Sequence, residues 1–296
     1  MNPTVVKIDS HSYKVSHSLQ LTMVDGKVCC ALSDSSTSKC YICGATPKEM
    51  NDLEKCRNKQ VNSSRFEFGL SPLHSWIRFF EYFIHVSYRI EFKRWQARSS
   101  EEKALLAKRK EFVQREFREQ LGLIVDKPRS GGSGTSNDGN TARKFFLHST
   151  ISSEITGIDK HVIDRCSYLL QCLSSGFKIN SNKFKIYALD TAKILVSKYS
   201  WYNLPASVHK VLIHGSEVID HCLLSIGELS EEAAESCNKL VKQFRRDNTR
   251  KHSRTVTNTD LLHRLLLNSD PFISSLRKLP CKKKSMMSRE VLDLLS

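Results

Sequence analysis

Two pairs of residues in this chain have the types and spacing of metal ligands. Cys40 and Cys43 form a C-x-x-C half-site, and two thiolates on one tight turn can take two corners of a tetrahedron. His209 and His214 are spaced H-x4-H, within the range usual for histidine pairs. Together the four would make a Cys2His2 zinc site, with Cys56 as a competing ligand. The spacing sets a condition on the histidines. On a straight helix, residues five apart point about 140° away from one another. The helix is therefore expected to end at Gly215, freeing the second imidazole to turn inward.

A second chemistry belongs to acids. Glu235 lies in Ser230–Arg250, where Ser230 is a good N-cap, Glu231 and Glu232 sit in the first turn and the cations crowd toward the far end. Ala233, Cys237, Leu240, Val241 and Phe244 fall on one helical stripe that should face a core. Glu235 falls opposite, in line with Lys239, Lys242, Arg246 and Arg250. One reading is a solvated face with a Glu235–Lys239 pair worth a few tenths of a kcal/mol. The other is a helix laid against a polyanion, with one acid kept for a metal ion. Asp25 stands in an Asp-Gly pair between alternating hydrophobics, the favoured hairpin turn. It could also join Glu235 in holding the paired Mg2+ ions, about 4 Å apart, of phosphoryl transfer.

The Gly/Ser-rich loop 127–141 contains a G-x4-G-x-T frame from Gly134 to Thr141, but Asn140 stands where a phosphate-binding loop needs lysine. A nucleotide site is not expected. A loop delivering Arg143 and Lys144 to a phosphate backbone fits better.

The elements that must position these groups are mostly helices. Strands are expected at 4–8 and at 19–32, the latter a hairpin around Asp25-Gly26. From Leu73 onward the pattern turns helical. Trp76, Phe79, Phe80 and Phe83 supply a core stripe, which Trp95 closes. Ser99 to Glu102 reads as a capping box opening a charged helix that Gly122 stops near Leu121. Further helices are expected near 159–175, 184–199 and 259–268, with Pro271 as an interruption. The 296 residues carry a formal charge of +15, spread over several helices, which points to a polyanionic partner. No apolar run reaches the ~18 residues of a membrane span, and the N-terminus lacks the features of a signal peptide. Ten scattered cysteines suit reduced thiols in cytosol or nucleus.

The segments VDGKVCCAL, CYICGAT, PLHSWI, KRWQARSSEEK, NDGNTARKFF, HKVLIH and SIGELSEEAAESCNKLVKQFRRDNTR occur here in this order, between about residues 20 and 255. In them the chain resembles the C-terminal part of the V(D)J recombination-activating recombinase and its Transib transposase relatives, which are DDE enzymes. The resemblance implies that Cys40, Cys43, His209 and His214 are structural zinc ligands. It implies that Glu235 is the final acid of the DDE triad, delivered by a helix onto an RNase H-like sheet, and that Asp25 is the second acid. Arg143 and Lys144 match a basic pair used in DNA contact; Lys239, Lys242, Arg245, Arg246 and Arg250 fall in the basic part of the catalytic helix. The chain departs from the family at the first catalytic Asp, for which Asp9 is too close in sequence to Asp25.

The expected fold is mainly α with a small N-terminal β part: an incomplete RNase H-like core interrupted by a large helical zinc-binding insertion. Residues 1–36 would be a remnant β-hairpin, 37–225 the zinc-stapled insertion, 226–255 the catalytic-type helix and 256–296 a helical, basic tail. The expected function is that of a DNA-binding fragment or domesticated derivative of a DDE transposase, nuclear and inactive alone. Structural Zn2+, Mg2+ or Mn2+ for any catalysis, DNA and a homodimeric partner follow from the same reading. The alternative is a non-catalytic, zinc-stabilised DNA-binding or protein-interaction module.

Overall fold

Aromatic residues at helical spacing form the centre of the molecule. The computed structural model describes residues 3–16, 26–128, 135–230, 232–276 and 286–295. These residues are mainly helical, with one two-stranded antiparallel sheet at the N-terminus. Strand β1 (Thr4–Ile8) pairs with β2 (His11–Val15) in the register Thr4 to Val15 and Ile8 to His11, and both are exposed along their whole length.

The expected strand at the end of 19–32 is instead a helix, α1 (Gly26–Leu32). Cys29 and Cys30 are both buried, which strand alternation would forbid and a helical turn allows. Residues 19–25, and Asp25 with them, lie outside the described residues. After α1 comes the Cys40–Cys43 turn, then α2 (Leu53–Arg57) and a short 3-10 turn at Ser63–Phe68.

Helix α3 (Pro72–Ser87) is capped by Ser71 and carries the aromatic stripe; Phe79, Phe80 and Phe83 are fully buried. Trp95 does not close that stripe: it is 40% exposed and its ring lies 4.4 Å from that of Tyr202. The Ser99–Glu102 capping box forms as expected and opens α4 (Ser100–Leu121), which ends at Gly122 with φ +64°, a left-handed conformation that glycine adopts without strain. Helices α5 (Gly139–Leu147), α6 (Ser149–Thr156), α7 (Lys160–Ser174), α8 (Ser181–Lys198) and α9 (Ala206–His221) complete the core. Helix α3 packs on α5, α7 and α9, and α8 lies along α9.

Beyond the core come α10 (Glu232–Asp247), α11 (Arg254–Ser269) and α12 (Pro271–Ser275), where Pro271 begins a helix rather than merely interrupting one. The stripe expected to bury α10 does not do so. Cys237 is exposed and Leu240, Val241 and Phe244 are only half-buried, with α10 packed chiefly on α11. The C-terminal segment returns: α13 (Arg289–Asp293) packs on α7, burying Val291 and Leu294, and Leu295 bridges to Ile179.

Candidate metal centre

The cysteine half of the site is built by a closed turn. The Cys40 amide donates to the Ala45 carbonyl at 2.9 Å and the Gly44 amide donates to the Cys40 carbonyl at 2.7 Å. Gly44 takes φ +69°, which lets the chain reverse directly after Cys43. Both sulfurs then point the same way, as two ligands of one ion require.

The histidine half comes from α9. His209 is fully buried and His214 is 3% exposed. Contrary to the sequence expectation, the helix does not end at Gly215; it runs on to His221. The angular argument overlooked side-chain reach. Cα atoms five apart on a helix are roughly 8.7 Å apart, so two imidazoles bending toward each other can meet over the helix surface. Their ring centroids are 5.2 Å apart, tilted by 70°. Gly215 serves packing: a Cβ there would stand 2.8 Å from Cε1 of Phe184 on α8.

Cys40, Cys43, His209 and His214 thus offer one ligand atom each, all within 4.8 Å of one another. A tetrahedron with bonds of about 2.0 Å to nitrogen and 2.3 Å to sulfur has edges of roughly 3.3–3.8 Å, so closure by about an ångström suffices. The polar accounting points the same way. Cys43 Sγ is 3.4 Å from His209 Nε2, while buried His214 Nε2 has no hydrogen-bond partner among the described residues. A buried lone pair without a donor costs about 1–3 kcal/mol, and a cation supplies what is missing. The cluster could hold a metal ion, and two thiols with two imidazoles are a donor set that suits zinc.

The protons agree with the geometry. The Cys40 thiol is held well above its ordinary range by its hydrogen bond to Cys43, with burial adding to the effect. Cys43 is pushed strongly down by that same hydrogen bond and, less, by the two imidazoles. Without a cation the pair keeps one proton; a divalent ion would displace it. His209 is held below its ordinary value by burial, so it stays a neutral donor. Cys56 is fully buried but outside this group, its thiol donating to the Glu49 carbonyl at 3.2 Å.

The other residues singled out from sequence are dispersed. Glu235 lies in α10, but its side chain, like all of Asp25, falls outside what is described. Arg143 is paired with Glu232 at the start of α10 and sits 5.8 Å over the Trp76 ring; Lys144 is exposed. Lys239, Lys242 and Arg245 are exposed, and Arg246 pairs with its neighbour Asp247. Arg250 lies beyond the end of α10, so the expected basic line breaks there, and Asp260 of α11 holds its guanidinium at 2.9 Å. In the loop before α5, Asp138 caps the helix by accepting from the Thr141 amide at 2.8 Å. Among the described residues, no helix is long and apolar enough to cross a membrane. Compared with protein-family models and with curated proteins, the chain matches none.

Missing from the sequence reading was Lys210, beside His209, whose ammonium lies 4.1 Å from the centre of the Tyr41 ring. Its position between a zinc-type histidine and a tyrosine next to Cys40 had no local signal, since the two segments meet only in the fold.

Proposed function

We propose that this chain is a DNA-binding relative of the DDE transposases and recombinases, built around a structural zinc ion. The supporting observation is the convergence of Cys40, Cys43, His209 and His214, the same four residues that the resemblance implies as zinc ligands. In this reading residues 37–225 are a zinc-stapled helical insertion, and α10 is the catalytic-type helix of an RNase H-like core. The protein works in the nucleus and as a homodimer. Its excess of cations, +15 overall, meets a DNA backbone through exposed Lys144, Lys239, Lys242 and Arg245.

Of the three acids such chemistry needs, the resemblance assigns two to this chain, Asp25 and Glu235. The reading is therefore DNA binding without independent cleavage. Paired Mg2+ or Mn2+ ions would supply the activation of water and of a 3′-hydroxyl in the complete family; here the two carboxylates hold a divalent ion at most weakly. A nicking assay on supercoiled DNA with Mg2+ or Mn2+ tests this. Duplex binding without nicking is expected. Nicking that disappears in Glu235→Gln would overturn the inactive reading, and no duplex affinity at low salt would overturn the DNA reading altogether.

One observation favours a protein-interaction module instead. Leu262, Leu266, Leu267 and Phe272 of α11 and α12 are all more than half exposed. If alanine at these positions leaves DNA affinity intact and abolishes recovery of a defined protein partner, the module reading gains.

A further inference from the structure

A cavity of about 480 Å³ opens beside the metal centre and shares two of its walls. One wall is the turn carrying Lys39 and Tyr41, on either side of Cys40. The opposite wall is the first part of α9, with Ser207 and Lys210 on either side of the pair Val208-His209. The start of α3 closes a third side with Ser71 and Ser75, whose hydroxyls are taken up in its cap, Ser71 by His74 and Ser75 by the Ser71 carbonyl. Leaving Arg78 aside, four of the sixteen lining residues are Lys or His, and none of the described lining residues is acidic.

Charge and geometry coincide at Lys210. Its stem is half-buried, its ammonium lies over the Tyr41 ring at 4.1 Å, and among the described residues no carboxylate pairs with it. A half-buried cation that has only the Tyr41 ring and neighbouring cysteine sulfurs beside it is poorly compensated for lost water, and an anion in the cavity would offset that cost. Arg78 is not counted, since Glu81 already holds it at 2.7 Å. The N-terminus of α9 opens toward the same space and has no side-chain cap hydrogen bond, so its first amides are donors for an oxyanion. Lys39 is exposed at the mouth and makes no ion pair among the described residues.

We propose that this cavity binds a phosphate-type oxyanion, with Lys210 as the inner contact and Lys39, Ser207 and the α9 amides around it. The ligand is either inorganic phosphate or a backbone phosphodiester of a nucleic acid; the oxygens presented are the same. The proposal does not depend on the DNA reading above. It does tie the cavity to the metal centre, because Cys40 and His209 hold the two walls at their spacing.

The test is calorimetric titration of the zinc-loaded chain with inorganic phosphate and, separately, with a short DNA duplex, at constant ionic strength against chloride. Lys210→Met, which keeps the stem on Tyr41, is compared with Lys210→Arg, which keeps the charge. Lys183→Met on the surface of α8, outside the cavity lining, is the control. At least one ligand is expected to bind saturably, weakened by about tenfold or more in Lys210→Met, as for loss of a charge-assisted hydrogen bond. Lys210→Arg should retain most of the affinity and Lys183→Met all of it. Binding of phosphate alone assigns a free anion and leaves the DNA reading to fall by itself; Lys210-dependent binding of duplex alone assigns the phosphodiester. No binding above chloride overturns the proposal, as does equal weakening by Lys210→Met and Lys183→Met. Where Lys210→Met does not fold, Lys39→Met carries the same expectation from an exposed position.

Discussion

Cys43 Sγ lies 3.4 Å from His209 Nε2, although 166 residues separate the two in the chain. A metal ion at this point would join the buried Cys40–Cys43 turn to a central helix and close almost all of the helical core into one loop. Metal binding here is therefore coupled to folding, since the unfolded chain offers no such cluster. Cys43→Ser and His209→Ala should each abolish stoichiometric zinc and lower stability by several kcal/mol, on the order of a lost structural ion. Elemental analysis and thermal melting with and without chelator check this. One zinc per chain surviving in Cys43→Ser together with His209→Ala would rule the site out.

Gly215 and Phe184 offer a test of how α9 is held. A Cβ at 215 would meet the fully buried Phe184 ring at 2.8 Å, so Gly215→Ala must push α8 away from α9 or force the ring off its rotamer. A cost of about 1–3 kcal/mol is expected, typical of overpacking. Phe184→Leu should be less harmful in the Gly215→Ala background than alone, because it opens the space the methyl needs. Strict additivity in a denaturation double-mutant cycle would show that the two side chains do not compete.

These pairs also show what the sequence could and could not disclose. The C-x-x-C and H-x4-H spacings pointed to the four residues that converge, because metal chemistry restricts residue type and local spacing together; Cys56, left open as a competing ligand, lies outside the group. The reason given for Gly215 was nevertheless wrong. Angular position on a helix says little about where a side chain several ångströms long can reach, and the neighbour that requires a glycine, Phe184, is 31 residues away. The aromatic run of α3 was readable because its period matched burial on one face. The stripe on α10 had the same period but found α11 as its chief partner, a tertiary fact that periodicity does not contain. The β1–β2 hairpin was half seen: Thr4–Ile8 is β-branched and apolar, while His11–Val15 has no comparable bias.

Arg250 and Asp260 join the turn after α10 to α11, and their pairing should be visible as acid sensitivity. Asp260 is held down to about 2, from an ordinary 3.8, first by the Arg250 guanidinium and then by the Arg250 amide. A carboxyl whose folded pKa is depressed contributes stability that is fully present above its unfolded pKa and lost as pH falls through the folded value. The α10–α11 packing should thus weaken between about pH 4 and pH 2. In Arg250→Met that step should move up toward the ordinary carboxylate range, with a small loss of stability at neutral pH because the pair is solvent-exposed. An NMR titration of the Asp260 carboxyl reads both. An unchanged titration in Arg250→Met would mean that the pair does not form in solution.

Arg143 and Glu232 present the sharpest conflict between a binding role and a structural one. Sequence and resemblance assign Arg143 to DNA contact, yet its guanidinium is paired with Glu232 and its side chain is only 35% exposed. An ion pair so placed is worth less than about 1 kcal/mol, little enough for a phosphate to compete for the arginine. If Arg143 meets DNA, Glu232→Gln should strengthen duplex binding a few-fold by releasing the guanidinium and removing a repelling charge, and Arg143→Met should weaken it. If instead the pair serves to hold the start of α10 against α5, both substitutions should weaken duplex binding alike, through the displaced basic face of α10. Fluorescence anisotropy on the two single variants and the double variant separates the cases by the sign of the Glu232→Gln effect. A gain assigns Arg143 to the phosphate backbone; a loss assigns it to positioning the helix that carries Lys239, Lys242 and Arg245.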